Sequence, residues 1–184
     1  MTETKPQSSL DTKTLVKEVL GTIDRERERE IVSRRFGLFE RKETLEQIGE
    51  MLGITRERVR QLEKAVITKL TQASEQGSLA HIIDFQSQVA DILENNGKVA
   101  RVSKISELLS GDATREEQAR VSFLSQLSKD LAVIHEDDNF YNSVGLKASH
   151  DEKKIKAEVQ KLIDTIKKIA EPKTIEEIAK AGNI

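Results

Sequence analysis

The stretch Thr44–Leu70, TLEQIGEMLGITRERVRQLEKAVITKL, decides the fold of this chain. Apolar residues recur at helical spacing on both sides of Gly53, which predicts two helices joined by a tight turn where a left-handed residue is cheapest. Ile54 can fill the gap between the helices, and Thr55 is a good N-cap residue. The two apolar stripes are Leu45, Ile48, Met51 and Leu52, then Val59, Leu62, Val66 and Leu70. The pattern is typical of a helix-turn-helix whose second helix enters the DNA major groove.

The outer face of that second helix carries side chains that can read bases. An arginine can bind guanine with two hydrogen bonds, a glutamate can accept from cytosine N4, and a glutamine can pair with adenine. A solvated helix face is the usual meaning of such a charge run. Here an acid lies between arginines and a glycine turn precedes them, which favours contact with DNA. The side chains in question are Arg56, Glu57, Arg58, Arg60, Gln61 and Lys64.

The composition favours small helical domains. Aromatic residues are 3% of the 184 residues and charged residues 34%, so the cores must be built mainly from Leu, Ile and Val. The net charge is −2, yet residues 1–78 carry 15 Lys and Arg against 14 Asp and Glu, and residues 79–184 carry 15 against 18. The basic face is therefore local to the first part of the chain.

The sequence lacks the marks of an enzyme, a metal protein or a membrane protein. There is no cysteine, and His81, His135 and His150 have no metal-ligand spacing. Gly97, Gly111 and Gly145 are isolated chain breaks rather than a phosphate-binding loop, and no catalytic constellation is present. We expect no catalysis, no cofactor, no metal and no membrane partner. Without an apolar span or a signal-peptide core, a soluble cytoplasmic protein is expected.

The fold class predicted is mainly α, with a helix-turn-helix domain at residues 10–70. Residues 1–9 are polar and predicted to be disordered. Inside the domain, a helix over 10–21 precedes a second helix that Asp24 can cap, and Leu38–Glu43 forms a charged loop. Residues 71–78 have no apolar side chain larger than alanine, which predicts the end of the long helix and a linker.

A small winged-helix (α+β) domain is predicted at residues 79–147. Helices over 82–93, 102–109 and 114–129 are followed by strands over 131–135 and 140–144. The turn between these strands, Glu136–Asp138, is acidic and would be repelled by phosphates. Protein docking is therefore favoured over DNA binding for this domain.

Residues 148–184 are predicted as a helical segment, with helices over 151–170 and 174–181. The pattern resembles the start of a second, truncated winged helix, which fits either a fragment or an end that packs on something else. The lysine-rich helix 153–168 could contact DNA, and an ordinary solvated amphipathic helix is the favoured interpretation.

Residues 15–70, with the strings IVSRRFGL and TRERVRQLE, closely resemble the fourth conserved region of the bacterial housekeeping sigma factors. The resemblance implies a domain that binds the −35 promoter element and docks on the flap of the RNA polymerase β subunit. Nothing in the chain resembles the regions that bind and melt the −10 element. A weaker resemblance, resting on pattern, links residues 79–147 to the winged-helix modules of the polymerase δ subunit.

The same resemblance assigns roles to individual residues. Base reading falls to Arg56, Glu57 and Gln61. Contacts with the DNA backbone are implied for Arg27, Arg35, Arg58, Arg60 and Lys64, and for the main chain at Thr44 and Leu45, where a helix start favours phosphate. Arg58 and Arg60 match positions that face either the backbone or an activator. Lys64 lies one position before the lysine that the family often has, so it points about 100° away.

The leading hypothesis is a sequence-specific transcription protein that binds double-stranded promoter DNA and the RNA polymerase core through the β flap. Lacking melting regions, it would act as a split sigma piece, with a partner supplying them, or as a regulator. The alternative is a δ-like, polymerase-binding interaction module whose helix-turn-helix serves mainly protein contacts. An enzyme is the least favoured class, for want of a site.

Overall fold

A computed structural model describes residues 10–148, 152–169 and 171–182. These residues are mainly helical, with a small antiparallel sheet, as predicted. The helices are α1 Thr12–Gly21, α2 Glu26–Phe36, α3 Leu45–Leu52, α4 Arg56–Glu75, α5 Ala80–Glu94, α6 Val102–Ser110, α7 Arg115–Leu127, α8 Glu152–Lys168 and α9 Ile175–Gly182. The strands are β1 Val99–Arg101, β2 Leu131–Ile134 and β3 Ser143–Leu146. The predicted disorder of 1–9, His150, and the predicted helix ends at 151 and 170 lie outside the described residues.

The helix-turn-helix is formed by α3 and α4, and local signals fix the start of α3 and both ends of the turn between the two helices. Thr44 caps α3 in a capping box with Gln47, each side chain accepting from the other's backbone N–H. Gly53 takes the left-handed conformation with φ 64°, and Thr55 accepts from the Arg58 N–H to cap α4. The turn predicted at these positions is confirmed.

The helix-turn-helix has a small core of its own. Ile31 from α2, Ile48 from α3 and Val59 from α4 are fully buried, so one residue from each helix meets at the centre. Four partly buried residues pack around them: Leu45, Leu52, Ile54 and Leu62. Met51 is 44% exposed, so its predicted place in the apolar stripe is wrong. Helical spacing predicts which side of a helix is apolar. How much of that side is buried depends on the other helices that pack against it.

Helix α2 starts differently from the prediction. Its N-cap residue is Arg25, with no side-chain capping bond, so the cap predicted at Asp24 is wrong. Asp24 instead accepts from Lys69 Nζ of α4 at 3.4 Å. The helix ends at Gly37, φ 69°, where a Cβ would lie 2.9 Å from the Lys42 backbone nitrogen. Only glycine fits this end without moving the chain that leads into α3.

Helix α4 continues through residues predicted to be a linker. It runs unbroken to Glu75, so only 76–79 connect it with α5, and Gly77 has φ 75°. The residues on either side of this connection share one apolar core, because α7 packs against α1, α2 and α4. Phe36 of α2 and Phe123 of α7 meet edge to face, with ring centroids 5.1 Å apart.

Residues 80–146 arrange three helices around the small sheet, whose strand order is β1-β3-β2. β1 had no prediction, and it pairs antiparallel with β3, as in Val99 opposite Gly145. The second predicted strand, 140–144, lies instead at 143–146. Gly145 is therefore a strand residue and not a chain break. A Cβ there would lie 3.2 Å from the Val99 side chain, so the glycine permits close pairing with β1.

Helices α8 and α9 pack against each other, and α8 also contacts β2. Ile155 of α8 is buried and lies over the glycine of β3. Among the described residues, no helix is long and apolar enough to cross a membrane.

Candidate nucleic-acid interface

The close approach of α3 to the start of α4 fixes how the second helix is presented. Gly49, in the middle of α3, is buried, and a Cβ there would lie only 2.7 Å from the carbonyl oxygen of Ile54. The absent side chain lets the turn lie directly on α3. As a result, the N-terminal turn of α4 is held firmly while its outer face stays exposed.

Arg56, the first residue of α4, is held by an acid on α3. Its Nη1 lies 2.7 Å from Glu46 Oε1, and the two side chains are 68% and 52% exposed. An exposed pair of this kind contributes only about 0–1 kcal/mol, so it orients the guanidinium and can be exchanged for a DNA group at little cost. Arg56 therefore stands at the helix N-terminus in reach of solvent, as base reading requires.

Glu57, in the same first turn of α4, is the centre of a hydrogen-bonded group that extends to the next turn. Arg60 donates to both of its carboxylate oxygens, at 2.8 and 2.7 Å, and Gln61 Nε2 donates at 3.2 Å. The bond from Arg60 is the main reason why the pKa of Glu57 falls from 4.5 to about 2. The carboxylate is thus ionised at neutral pH and can only accept hydrogen bonds.

Arg58, Arg60 and Lys64 are all exposed on α4. Arg58 Nη1 donates to Gln61 Oε1 at 3.4 Å. Lys64 lines a shallow groove along the outer surface of α4 together with Arg60 and Gln61. Lys64 therefore shares the surface of two predicted DNA-contacting residues, although its sequence position differs from the family's lysine.

Arg27 and Arg35 of α2 brace the helix-turn-helix. Arg27 Nη2 donates to the carbonyl oxygen of Leu52 at 2.5 Å, at the C-terminal end of α3 where carbonyls lack helical partners. Arg35 Nε lies 3.4 Å from Glu63 Oε2 of α4, and its Nη1 donates to the Glu43 carbonyl at 3.3 Å. Both side chains have a structural role here, and their contact with phosphate stays a prediction.

The main chain at the start of α3 is only partly available to a phosphate. The amide of Thr44 already donates to Gln47 Oε1 at 2.9 Å. The amide of Leu45 is in the first turn, where no helical acceptor exists. The predicted phosphate clamp at these two residues therefore depends more on Leu45.

The 76–79 connection divides the chain into a first half, α1 to α4, and a second half that begins at α5. Helix α7 is the third helix of the second half, and its polar residues Glu117 and Arg120 are buried. Arg120 forms a buried ion pair with Glu117 at 2.8 Å and donates to the carbonyl oxygen of Leu38 at 3.1 Å. Thr12 of α1 donates its hydroxyl to Glu117 at 2.7 Å. One of the two arginines on α7 is thus committed to the joint with the first half of the chain.

The turn between β2 and β3 is acidic and tied to α8. Asp137 accepts from the backbone amides of Asn139 and Phe140 and from Lys156 Nζ at 3.0 Å. The amide bond from Asn139, followed by the lysine bond, lowers the pKa of Asp137. An ionised acid at this tip opposes approach to phosphate.

Sequence reasoning missed the acids that hold the arginines of this surface, Glu46 and Glu63. Each lies on a different helix from its arginine, so no spacing rule links them. One local signal could have pointed to Glu46. A Thr followed three residues later by Gln is a capping box, which marks the start of α3 and places Glu46 in the first turn of that helix. Among the residues that the structure describes, no group of three or more His, Asp or Glu side chains is placed to hold a metal ion.

Comparison with known proteins bears on this same surface. Residues 25–72 match the family model described as Sigma-70, region 4. The chain is 41% identical over 69 residues to RNA polymerase sigma factor sigB of Arabidopsis thaliana, which is 37% of this chain and 11% of the relative. It is 47% identical over 62 residues to RNA polymerase sigma factor RpoD of Helicobacter pylori strain 26695, covering 33% and 9%. The chain thus matches about a tenth of the length of these relatives. The exposed, capped second helix and the family match agree: residues 25–72 form a sigma-70 region 4 helix-turn-helix.

Proposed function

We propose that this chain is a non-enzymatic transcription protein that reads promoter DNA through the N-terminal part of α4 and associates with the RNA polymerase core. The observation that carries this proposal is the exposed first turn of α4, held on α3 by the glycine contact and bearing Arg56 and Glu57. The relatives are named as RNA polymerase sigma factors, which supports polymerase as the protein partner.

In this proposal, base reading belongs to Arg56, Glu57 and Gln61. The first offers donors to guanine, the ionised carboxylate accepts from cytosine, and the amide pairs with adenine. Arg58, Arg60, Lys64, the arginines of α2 and the start of α3 bind phosphates and set the register. Most of the affinity comes from these backbone contacts, and the sequence preference comes from the bases.

Two alanine variants separate the two kinds of contact. Arg56→Ala should lose about 1–3 kcal/mol of binding and relax the preference at one base pair. Arg58→Ala should weaken binding to every sequence alike and reduce the slope of log K against log salt by about 1. Binding to a panel of promoter-like duplexes measures both. An unchanged preference in the Arg56 variant would remove direct readout from the proposal.

We further propose that residues 80–146 form a winged helix that docks on protein and does not read DNA. The inward-facing Arg120 and the acidic tip at Asp137 favour this second role. The δ-like alternative extends protein docking to the whole chain. Polymerase binding combined with no measurable DNA affinity across a salt titration would favour that alternative.

A further inference from the structure

The first half of the chain has one extended apolar face, and α7 covers it. Four residues of α1 point into the shared core: Leu15, Val16, Val19 and Leu20. Phe36 of α2 packs on Phe123 of α7 in the same layer. In the described part of α1 to α4, Met51 is the large hydrophobic side chain that remains exposed.

A protein partner of this half therefore finds little apolar surface while α7 is in place. The centres of protein interfaces are apolar and poor in charge, and the surface outside the covered face is rich in arginine and glutamate. A partner that docks on α1 and α2 through apolar contacts would need the area that α7 occupies.

The joint between the halves is built in a way that favours release. Its polar centre consists of Thr12, Glu117, Arg120 and the carbonyl of Leu38, and the side chains of the ion pair are only 10% and 4% exposed. Burying an ion pair costs hydration, which both groups regain when the faces separate. Opening such a joint is easier than opening an all-apolar joint of the same size. The connection between the halves is short, 76–79, and Gly77 within it has φ 75°, so a change of backbone angle at this glycine can move one half relative to the other.

We propose that the half from α5 to β3 is an autoinhibitory cover, in which α7 occupies the face of α1 and α2 that the RNA polymerase core uses. Core binding then requires α7 to leave, and the apparent affinity is the intrinsic affinity reduced by the fraction of open molecules. The DNA-reading end of α4 is exposed in the closed form, so promoter binding does not depend on opening. The inference rests on the proposed association with polymerase.

A covalent tie tests the closed form. Glu18 of α1 and His81 of α5 are exposed and their side chains meet at 3.4 Å across the joint. The chain has no cysteine, so Glu18→Cys with His81→Cys can be joined by a short bis-maleimide. Asp24→Cys with Lys69→Cys is the matched control, since that exposed pair is also 3.4 Å apart but lies within the first half. We expect the first crosslink to weaken binding to polymerase core about tenfold or more, and the control crosslink to have no effect.

A variant that weakens the contacts between α1 and α7 should bind polymerase core more tightly. Thr12→Val removes the hydroxyl that donates to the buried carboxylate, so the closed form is destabilised and core binding should tighten by about tenfold. Thr22→Val is the control, because that hydroxyl donates to the Val19 carbonyl at the end of the same helix. Circular dichroism checks that each variant is folded.

Promoter binding measured in parallel shows whether a negative result refutes the autoinhibitory cover alone or the proposed association with polymerase as well. Weaker core binding on crosslinking and tighter binding by Thr12→Val, with promoter affinity unchanged, support the cover. Equal core binding by the crosslinked and uncrosslinked protein, or by the two valine variants, overturns it. If no form binds core while all bind promoter DNA, the polymerase partner itself is refuted and the cover falls with it.

Discussion

Gly49→Ala should destabilise the helix-turn-helix, although alanine normally stabilises a helix. The added Cβ would lie 2.7 Å from the backbone carbonyl of Ile54, and backbone cannot rotate away as a side-chain tip can. Relieving such a contact costs about 1–3 kcal/mol, whereas the gain in helix propensity over glycine is about 1 kcal/mol. A contact under 3.0 Å with backbone belongs in the upper part of that range, about 2–3 kcal/mol, so we expect a net loss of about 1–2 kcal/mol.

The same change should also weaken DNA binding, because the clashing carbonyl immediately precedes the cap of α4. Moving that turn shifts Arg56 away from its partner on α3 and from its position toward the groove. Urea unfolding gives the loss of stability, and thermal unfolding should show a Tm lower by about 2–8 °C for a chain of this size. Binding to a promoter duplex gives the functional loss.

Gly21→Ala is the matched control. Gly21 ends α1, and a Cβ there would meet no atom within 4 Å. This variant should be at least as stable as the parent protein. If Gly49→Ala were equally stable and bound DNA with unchanged affinity, the tight packing of the turn on α3 would not be what positions the reading helix.

Three further perturbations follow from the same contacts. The carboxyl of Glu57 should titrate near pH 2 by NMR. Because its pKa is lowered in the folded protein, the stabilising bonds of this carboxylate are complete above about pH 4.5 and are lost as the pH falls toward 2. Arg60→Gln should return the midpoint of the titration toward its ordinary value. Arg120→Ala leaves a buried carboxylate unpaired and should cost about 3–5 kcal/mol in denaturant unfolding, whereas Arg115→Ala on the exposed side of α7 should cost less than about 0.5. Thr44→Ala removes the cap of α3 and should lower the free energy of unfolding by about 1 kcal/mol; no loss would show that Gln47 caps alone.

Local signals in the sequence predicted the centre of the molecule well. Gly53 and Thr55 act through their own backbone conformation and their own side chain, so the turn they form could be placed without knowing the rest of the fold. The string TRERVRQLE added the family, which no amount of periodicity would supply.

The errors occur where distant parts of the chain decide the outcome. Glu117 and Arg120 lie on one face of a helix whose burial depends on Thr12, 105 residues away from the glutamate in the sequence. β1 has only three residues and leads straight into α6, so its pairing with β3 leaves no pattern long enough to recognise. Asp24 is a good capping residue by type, yet its side chain accepts a hydrogen bond from Lys69 of α4 instead.

Helix α4 belongs to both halves of the molecule, because its first turns carry the proposed reading surface and its last turns join the shared core. Twenty residues at 1.5 Å each make a rod of about 30 Å, and each residue also advances the angle about its axis by about 100°. In the closed form, the helix therefore sets a fixed distance and a fixed angle between the proposed reading surface and the body at its other end. Lengthening it by two residues would turn that body by about 200° around the helix axis, while seven residues would extend the rod by about two turns and almost restore the direction. In the proposed complex with promoter DNA, the number of residues in α4 would therefore decide the direction in which the closed second half faces.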